Sequence, residues 1–359
     1  MPNGSSPIWH PFTQHALEEE ATKIVRGDGA YLYTADGRRF IDAISSWWVV
    51  THGHCHPQVV RALQEQAAKL TQIMFAGYTH DPAEEVAAQL LEFVPRGLDY
   101  VFFSDSGSTS VEVALKMAVG YWRNIGEPRS RIIVMQHSYH GDTIGAMSVG
   151  ARGVFNAAYG SLLFEVTSVP FPAKGREQAT LDALESACRH ARPAAFIVEP
   201  LILGAGGMLM YPAWVLREMR QICDSADVLF IADEVMTGWG RTVTLFACEQ
   251  ANVAPDIACY SKGLTGGGRS RWPLLCAGLI FLTPTIRKIV RAPSFTRVHI
   301  RPIRLHAQPR RQIWISGGIR KPVSAWRPSA VCSKQQSSRS EMIRGLQMSV
   351  GLAPSRHSI

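Results

Sequence analysis

The chain has 359 residues, 46% of them hydrophobic, and a formal net charge of +8 at neutral pH. This length and apolar content exclude a wholly disordered chain and predict the core of one large or two ordinary domains. Charges, Gly or Pro interrupt the apolar runs before the roughly 18 residues of a membrane span, and the first thirty residues lack a signal pattern. We therefore expect a cytoplasmic protein without membrane contact.

The N-terminal part contains three alternating histidines, His52, His54 and His56, at a spacing that metal ligands can have. A cysteine and a proline lie among them, and no acidic partner is fixed nearby. We interpret this segment as a turn that leads into a helix from Val59, and predict no metal site.

Strands and helices then alternate along the chain. Short apolar runs typical of buried strands are separated by segments with helical period such as Trp214–Ile222. This rhythm predicts an α/β domain with a mainly parallel sheet flanked by helices. The clearest strand candidates are Arg131–Met135, Ala194–Val198, Val228–Ala232 and Ile257–Tyr260.

In such sheets, ligands bind beyond the carboxyl ends of the strands. The run Val101–Phe103 leads into the small, hydroxyl-rich turn Ser104–Thr109 and then into a helical pattern. Backbone N–H groups at a helix start are suited to a phosphate, although an ordinary N-cap explains the same residues equally well.

The next two strand ends carry an aromatic residue and an acid. Arg131–Met135 leads to Tyr139-His-Gly-Asp142, where a tyrosine beside a glycine can lie flat on a planar ligand. Ala194–Val198 ends in Glu199 and a glycine-rich run that lacks the dinucleotide spacing, so a nicotinamide site is not favoured.

The last two strand ends carry an aspartate and a lysine. Val228–Ala232 ends in Asp233, a carboxylate that needs a partner if it is buried. Ile257–Tyr260 is followed by Lys262, 29 residues after that aspartate. Together with the phosphate turn and the aromatic loop, these two residues meet the needs of pyridoxal phosphate, which uses a lysine for a Schiff base and an acid at its ring nitrogen.

With these motifs the sequence resembles the class III, fold type I, pyridoxal-phosphate-dependent aminotransferases over residues 8 to about 268. The resemblance implies the family's large domain and a homodimer. The matching strings are Asp105-Ser-Gly-Ser108, Tyr139-His-Gly-Asp-Thr143, Ile231-Ala-Asp-Glu-Val-Met-Thr-Gly-Trp-Gly-Arg241 and Ser261-Lys-Gly-Leu-Thr-Gly-Gly267.

The resemblance also implies roles for the cofactor-binding residues. Lys262 would form the Schiff base and Asp233 would hold the pyridinium nitrogen, with Tyr139 as the third residue of the catalytic set. The phosphate would be held by Gly107 and Ser108. The two ring faces would be covered by Tyr139 and Val235.

On the substrate side, the resemblance implies Trp47 and Tyr139 as pocket residues. Phe12 stands where some members have a tyrosine, so that hydroxyl contact is lost. Further substrate-side residues would be Asp142, Glu199 and Arg241, the last of which could instead brace the loop after Asp233.

Further strings narrow the resemblance to members of the family that act in biotin biosynthesis. They imply transfer of the amino group of S-adenosylmethionine to 7-keto-8-aminopelargonate. They also imply two parts of the chain: an N-terminal segment, residues 1–60, that contributes to the substrate pocket, and a cofactor-binding large domain, residues 61–268. The strings are Trp9–Gln14, Asp36–Arg39, Ser45–Trp48, His52–His54, Met208–Pro212 and Leu245–Glu249.

Residues 269–359 differ in composition from the rest of the chain. They hold 17 basic residues and one acid, Glu341, whereas residues 1–268 hold 20 basic and 28 acidic residues. The family's small C-terminal domain cannot be located there, which indicates that it is missing or replaced by a basic, poorly ordered tail. An out-of-frame reading of a GC-rich gene is our hypothesis for this change.

Three functions remain open at this point. The first is the biotin-pathway aminotransferase, and the second is a class III aminotransferase that uses an omega-amino acid. The third is a catalytically impaired remnant that binds the cofactor, or a protein whose basic tail binds acidic surfaces. The basic residues lack aromatic or motif organisation, so we expect no specific nucleic-acid recognition.

Overall fold

The computed structural model describes residues 8–14, 21–153 and 156–267, and the backbone of residues 278–282. The first described elements are strands and helices that precede the main sheet. They are β1 (Ile24–Asp28), β2 (Tyr31–Thr34), β3 (Arg39–Ile41), α1 (Ser45–Trp48), α2 (Pro57–Ala67) and α3 (Asp81–Leu91). The three strands form an antiparallel sheet in the order β1-β2-β3.

The main domain alternates strands with helices. Its elements are β4 (Tyr100–Ser104), α4 (Gly107–Asn124), β5 (Ile132–Met135), α5 (Ile144–Val149), β6 (Thr167–Val169), α6 (Glu177–Ala191), β7 (Ala195–Val198), β8 (Ile202–Leu203), β9 (Leu209–Met210), α7 (Ala213–Ser225), β10 (Leu229–Asp233), α8 (Ala247–Ala251), β11 (Ile257–Ser261) and β12 (Gly278–Leu282). Each predicted strand is present with its ends shifted by about one residue, and the predicted alternation is confirmed.

Seven strands form the main sheet in the order β4-β12-β11-β10-β7-β5-β6. The ladders of β11, β10, β7, β5 and β6 are all parallel, and β12 is antiparallel to both β11 and β4. Strand β4 therefore runs in the same direction as β11. As a result, the carboxyl ends of β4, β5, β7, β10 and β11 all lie at one edge of the sheet.

Strand β12 lies beyond the domain boundary that we predicted at residue 268. Its backbone completes the sheet between β4 and β11. The other residues of the predicted basic tail, and with them the predicted loss of the small domain, lie outside the described residues.

The two faces of the main sheet carry separate apolar cores, because successive strand residues point to opposite sides. In β7, Phe196 and Val198 pack on α6 and α7, whereas Ala195 and Ile197 pack on α4 and α5. Strands buried on both faces read as continuous apolar runs, which is why the sequence showed them so clearly. Within the described residues, no helix has the length and apolar character that a bilayer crossing demands.

Candidate active site

A cavity of about 170 Å³ lies at the edge where the five strand ends meet. Every one of those ends contributes to its wall, and the N-terminal segment adds one aromatic ring. The contributing side chains include Trp48, Ser108, Tyr139, Glu199, Asp233 and Lys262.

The turn after β4 presents the start of α4 to this cavity. The Ser106 hydroxyl accepts a hydrogen bond from the Thr109 N–H at 3.1 Å, and the Thr109 hydroxyl accepts one from the Ser106 N–H at 2.9 Å. This capping box leaves the N–H groups of Gly107 and Ser108 without an intrahelical acceptor. A Cβ atom at Gly107 would lie 2.8 Å from Val235 Cγ1, so only glycine fits here.

The loop after β5 folds over the start of α4. The Asp142 N–H donates to Ser108 Oγ at 3.2 Å, and Gly141 has a φ of +126°. A Cβ atom at Gly141 would lie 2.1 Å from Ser108 Oγ. At the same loop the Tyr139 hydroxyl donates to Asp142 Oδ2 at 2.8 Å. Burial, followed by this contact, raises the pKa of Tyr139 well above its ordinary value, so the phenol stays protonated.

Asp233, at the end of β10, is buried with 3% of its surface exposed. Its Oδ1 accepts a hydrogen bond from the Val235 N–H at 3.1 Å, and its Oδ2 lies 2.6 Å from His140 Nδ1. The second ring nitrogen of His140 is buried and has no hydrogen-bond partner among the described residues. Two fixed contacts thus hold the Asp233 carboxylate at the cavity wall.

Glu199 follows β7 and is 4% exposed. Its two carboxylate oxygens accept hydrogen bonds from the Tyr139 N–H and the Gly204 N–H, both at 3.0 Å. Burial raises the pKa of Glu199 to about 7, because the charged form loses its hydration. Nearby Asp233 raises that pKa further, whereas His140 and the two amides lower it.

Lys262 follows β11 with a φ of +47°, which turns the chain sharply at the cavity. Burial lowers the pKa of its amine below the ordinary value of 10.5, and the charges of Asp233, Glu199 and Asp142 oppose this shift. The amine Nζ lies 5.7 Å from the centroid of the Trp48 ring. A larger fraction of the Lys262 amine is consequently neutral, and so nucleophilic, than for an exposed lysine.

Four of the predicted substrate residues do not line this cavity: Phe12, Trp47, Arg241 and Asp142. Trp47 is 54% exposed and packs edge-to-face on Phe12, which is 74% exposed, with ring centroids 5.4 Å apart. Arg241 is exposed and does not line the cavity. The neighbouring Trp48, which we did not single out as a pocket residue, is the tryptophan that lines it.

A second cavity, of about 270 Å³, adjoins the first and shares Tyr139, Gly141 and Ala205 with it. The predicted residue Asp142 lines this second cavity together with Arg152. The tyrosine ring is therefore part of the boundary between the two spaces.

Two residues near Asp233 were missed or undervalued by the sequence analysis. His140 is fully buried at its side chain and contacts Asp233; its position directly after Tyr139 in a strand-end loop was the only available signal. Glu234, the next residue after Asp233, is structural, because its carboxylate accepts hydrogen bonds from the Ala247 and Cys248 N–H groups at the start of α8.

The histidines that we predicted not to bind metal have other contacts. His54 Nε2 lies 2.9 Å from Asp42 Oδ2, and the rings of His52 and His56 meet edge-to-face at 6.2 Å. In the described part of the chain, no group of three or more His, Cys, Asp or Glu side chains is arranged to hold a metal ion.

Comparison with known proteins points to one family. The family model for class III aminotransferases matches residues 14–276. An adenosylmethionine-8-amino-7-oxononanoate aminotransferase of Synechococcus elongatus is 50% identical over 268 residues, which are 72% of this chain and 63% of that protein. The chain spans less than two thirds of the length of such curated relatives.

Solved structures show the same relationship. The enzyme of that name from Methanocaldococcus jannaschii superposes with a TM-score of 0.73 at 33% identity, over 79% of this chain and 65% of that one. An amine transaminase from an uncultivated Pseudomonas species, in its PLP-bound form, gives a TM-score of 0.72 at 32% identity, over 79% and 67% of the two chains. The predicted fold type I large domain is confirmed.

Proposed function

The chain belongs to the class III aminotransferase family, and we propose that it binds pyridoxal 5'-phosphate and transfers the amino group of S-adenosylmethionine to 7-keto-8-aminopelargonate, giving 7,8-diaminopelargonate. The observation that carries this proposal is the meeting of Lys262 and Asp233 in one cavity, at the ends of the adjacent strands β11 and β10. The substrates are those in the names of curated relatives.

The residues of the cavity fit this cofactor. The start of α4 offers N–H donors to a phosphate, and the lack of side chains at Gly107 and Gly141 lets Val235 and Ser108 approach closely there. The buried carboxylate of Asp233 has no cationic lysine or arginine partner among the described residues, so it can take a protonated ring nitrogen. Tyr139 and Val235, the residues predicted to cover the two ring faces, both line this cavity.

Pyridoxal phosphate, when bound, supplies an aldehyde that bonds to amines and a ring that withdraws electrons. Lys262 can bond to that aldehyde because burial leaves more of its amine unprotonated. Once free of the aldehyde, the Lys262 amine would act as a base toward the proton on the donor carbon, and as an acid when it passes that proton to the cofactor. Asp233 keeps a proton on the ring nitrogen, and its contact with His140 keeps the carboxylate in place.

The second cavity is our proposed location for the substrate. It is lined by Tyr139, Arg152 and Asp142, and the carboxylate of Asp142 can attract the positive charge of a sulfonium or an ammonium group. The exposed N-terminal aromatics, Phe12 and Trp47, and the exposed Arg241 remain predicted substrate contacts. We further infer a cytoplasmic homodimer, and we retain residues 1–60 as the pocket segment, which the position of Trp48 in the cavity wall supports.

A second candidate is an amine transaminase with another donor, because solved amine transaminases superpose as well as the named aminotransferase does. The experiment adds pyridoxal phosphate to the purified chain and records the visible absorption of the lysine-bound cofactor. S-Adenosylmethionine or an omega-amino acid is then added. In a second step 7-keto-8-aminopelargonate is added as the amino acceptor, and formation of diaminopelargonate is followed by mass spectrometry.

We expect the band to appear, to bleach with S-adenosylmethionine, and to be absent in Lys262→Ala. The exposed Lys116→Ala variant is the matched control and should behave as the parent. Bleaching by the omega-amino acid alone would favour the second candidate. A band that no donor bleaches would indicate an impaired remnant and contradict the proposed reaction.

A further inference from the structure

Glu199 connects two loops of the cavity through their backbones. Its side chain lies at the end of β7, with one carboxylate oxygen on the Tyr139 N–H after β5 and the other on the Gly204 N–H after β8. Among the described residues it forms no ion pair with a lysine or arginine. The structure therefore retains a buried carboxylate whose hydrogen bonds serve the backbone of two loops.

Among the described residues, the other hydrogen bond of Tyr139 itself lies within its own loop. Its side chain is 40% exposed, and its hydroxyl bonds to Asp142, three residues away. The contact with Glu199 joins residues 60 positions apart, and so anchors the tyrosine to the neighbouring strand end. The loop's other long-range contacts lie at the residues after the tyrosine: His140 Nδ1 contacts Asp233 Oδ2, and the Asp142 N–H donates to Ser108 Oγ.

We propose that Glu199 is a positioning residue, which places the Tyr139 ring against the cofactor by holding the tyrosine backbone and tying it to the Gly204 turn. This role rests on the proposed function in one respect, namely that the ring of pyridoxal phosphate lies against Tyr139. Glu199 then acts through Tyr139, and its place on the substrate side stays a prediction.

The chemistry of the carboxylate explains why a glutamate is needed. Two N–H donors approach from two loops, and a carboxylate offers an acceptor oxygen to each. A glutamine has one acceptor oxygen, and its amide group would face one of the two donors. Glu199→Gln consequently loses at least one hydrogen bond while it keeps the size of the side chain.

The first test is amide hydrogen exchange on the cofactor-free protein. In Glu199→Gln, exchange at Tyr139 or Gly204 should accelerate about tenfold, as expected for the loss of one hydrogen bond. The matched control is Glu234→Gln, which removes a buried carboxylate that serves two backbone amides elsewhere and should accelerate exchange at Ala247 and Cys248 only. Unchanged exchange at both Tyr139 and Gly204 would overturn the proposal.

The second test measures the affinity for pyridoxal phosphate by quenching of the protein's tryptophan fluorescence. We expect Glu199→Gln to weaken the binding of pyridoxal phosphate by about tenfold. Glu199→Asp keeps both acceptor oxygens on a shorter side chain, so its affinity should lie between those of the parent and Glu199→Gln. Faster exchange without any loss of affinity would refute the positioning role. If Glu199→Gln does not fold, Glu199→Asp carries both tests.

The two proposals can fail separately. A parent chain that does not bind pyridoxal phosphate contradicts the proposed function. Even in that case, faster amide exchange at Tyr139 in Glu199→Gln than in the parent would support the anchoring of Tyr139 by Glu199.

Discussion

His140 Nδ1 lies 2.6 Å from Asp233 Oδ2, although the two residues are 93 positions apart in the chain. Both side chains are almost completely buried, so the contact is shielded from water. A hydrogen bond to a buried charged acceptor is worth more than one between neutral groups, and loss of one partner leaves the other unpaired.

We predict a coupling free energy of about 2 kcal/mol between these two residues. It is measured by a double-mutant cycle with His140→Ala, Asp233→Ala and the double variant, each unfolded in urea without cofactor. Strictly additive losses in the free energy of unfolding would show that the two side chains do not stabilise each other.

The amine of Lys262 should respond to the charge of Asp233. Asp233 is the main group that opposes the lowering of the Lys262 pKa by burial, and Asp142 contributes least. Asp233→Asn should therefore lower the pKa of Lys262 further, and Asp142→Asn should lower it less. The pH dependence of acylation of Lys262 in the cofactor-free protein, followed by peptide mass spectrometry, gives both values. An equal decrease of the Lys262 pKa in both variants, or a larger decrease in Asp142→Asn, would contradict this electrostatic assignment.

Glu199 should make the stability depend on pH. Its pKa is about 7 in the folded protein against an ordinary 4.5, so between these values the folded state holds a proton that the unfolded chain has released. The free energy of unfolding should fall as pH rises through this interval, by at most about 3 kcal/mol.

Urea titrations between pH 4.5 and 7 test this dependence. Glu199→Gln should remove the slope that this residue contributes, whereas the exposed control Glu165→Gln should leave the pH profile as in the parent. Parallel profiles for the parent and Glu199→Gln would show that Glu199 does not take up the proton.

Gly141 should tolerate no side chain. A Cβ atom there would lie 2.1 Å from Ser108 Oγ and 3.0 Å from Ser108 Cα, in addition to the strain of a positive φ. Gly97 also has a positive φ, +98°, but a Cβ atom there would meet nothing within 4 Å. Gly141→Ala should cost about 2–4 kcal/mol of unfolding free energy, and Gly97→Ala about 1 kcal/mol. Similar losses, measured by urea unfolding, would mean that Ser108 moves away freely.

Much of the cofactor site could be predicted because each of its residues follows a recognisable strand. The apolar runs before Asp233 and Lys262 become β10 and β11, buried on both faces of a parallel sheet. The carboxyl ends of parallel strands lie at one edge of a sheet. Asp233 and Lys262 are therefore close together once β10 and β11 are adjacent strands. The hydroxyl-rich turn before Gly107 was equally local, because a capping box is built within four residues.

Other features depend on contacts between distant parts of the chain. The choice between Trp47 and Trp48 is one of them, because all four residues of α1 have positive φ, from 46° to 63°, and this left-handed turn sends the two rings in different directions. Nothing in the string Ser-Ser-Trp-Trp announces such a conformation, which L-residues adopt at a cost. The place of strand β12 is another example, because it pairs with both β4 and β11, which are distant from each other in the chain.

The sequence by itself determined the α/β alternation, the family, and the residue types at the strand ends, since these are carried by local pattern and by short motifs. Only the tertiary structure decided that His140 supports Asp233, that Glu199 holds the backbone of Tyr139, and that Trp48 faces Lys262. The physical reason is that hydrogen bonds and ring contacts act over a few ångströms, and the order of the strands in the sheet sets which loops come that close.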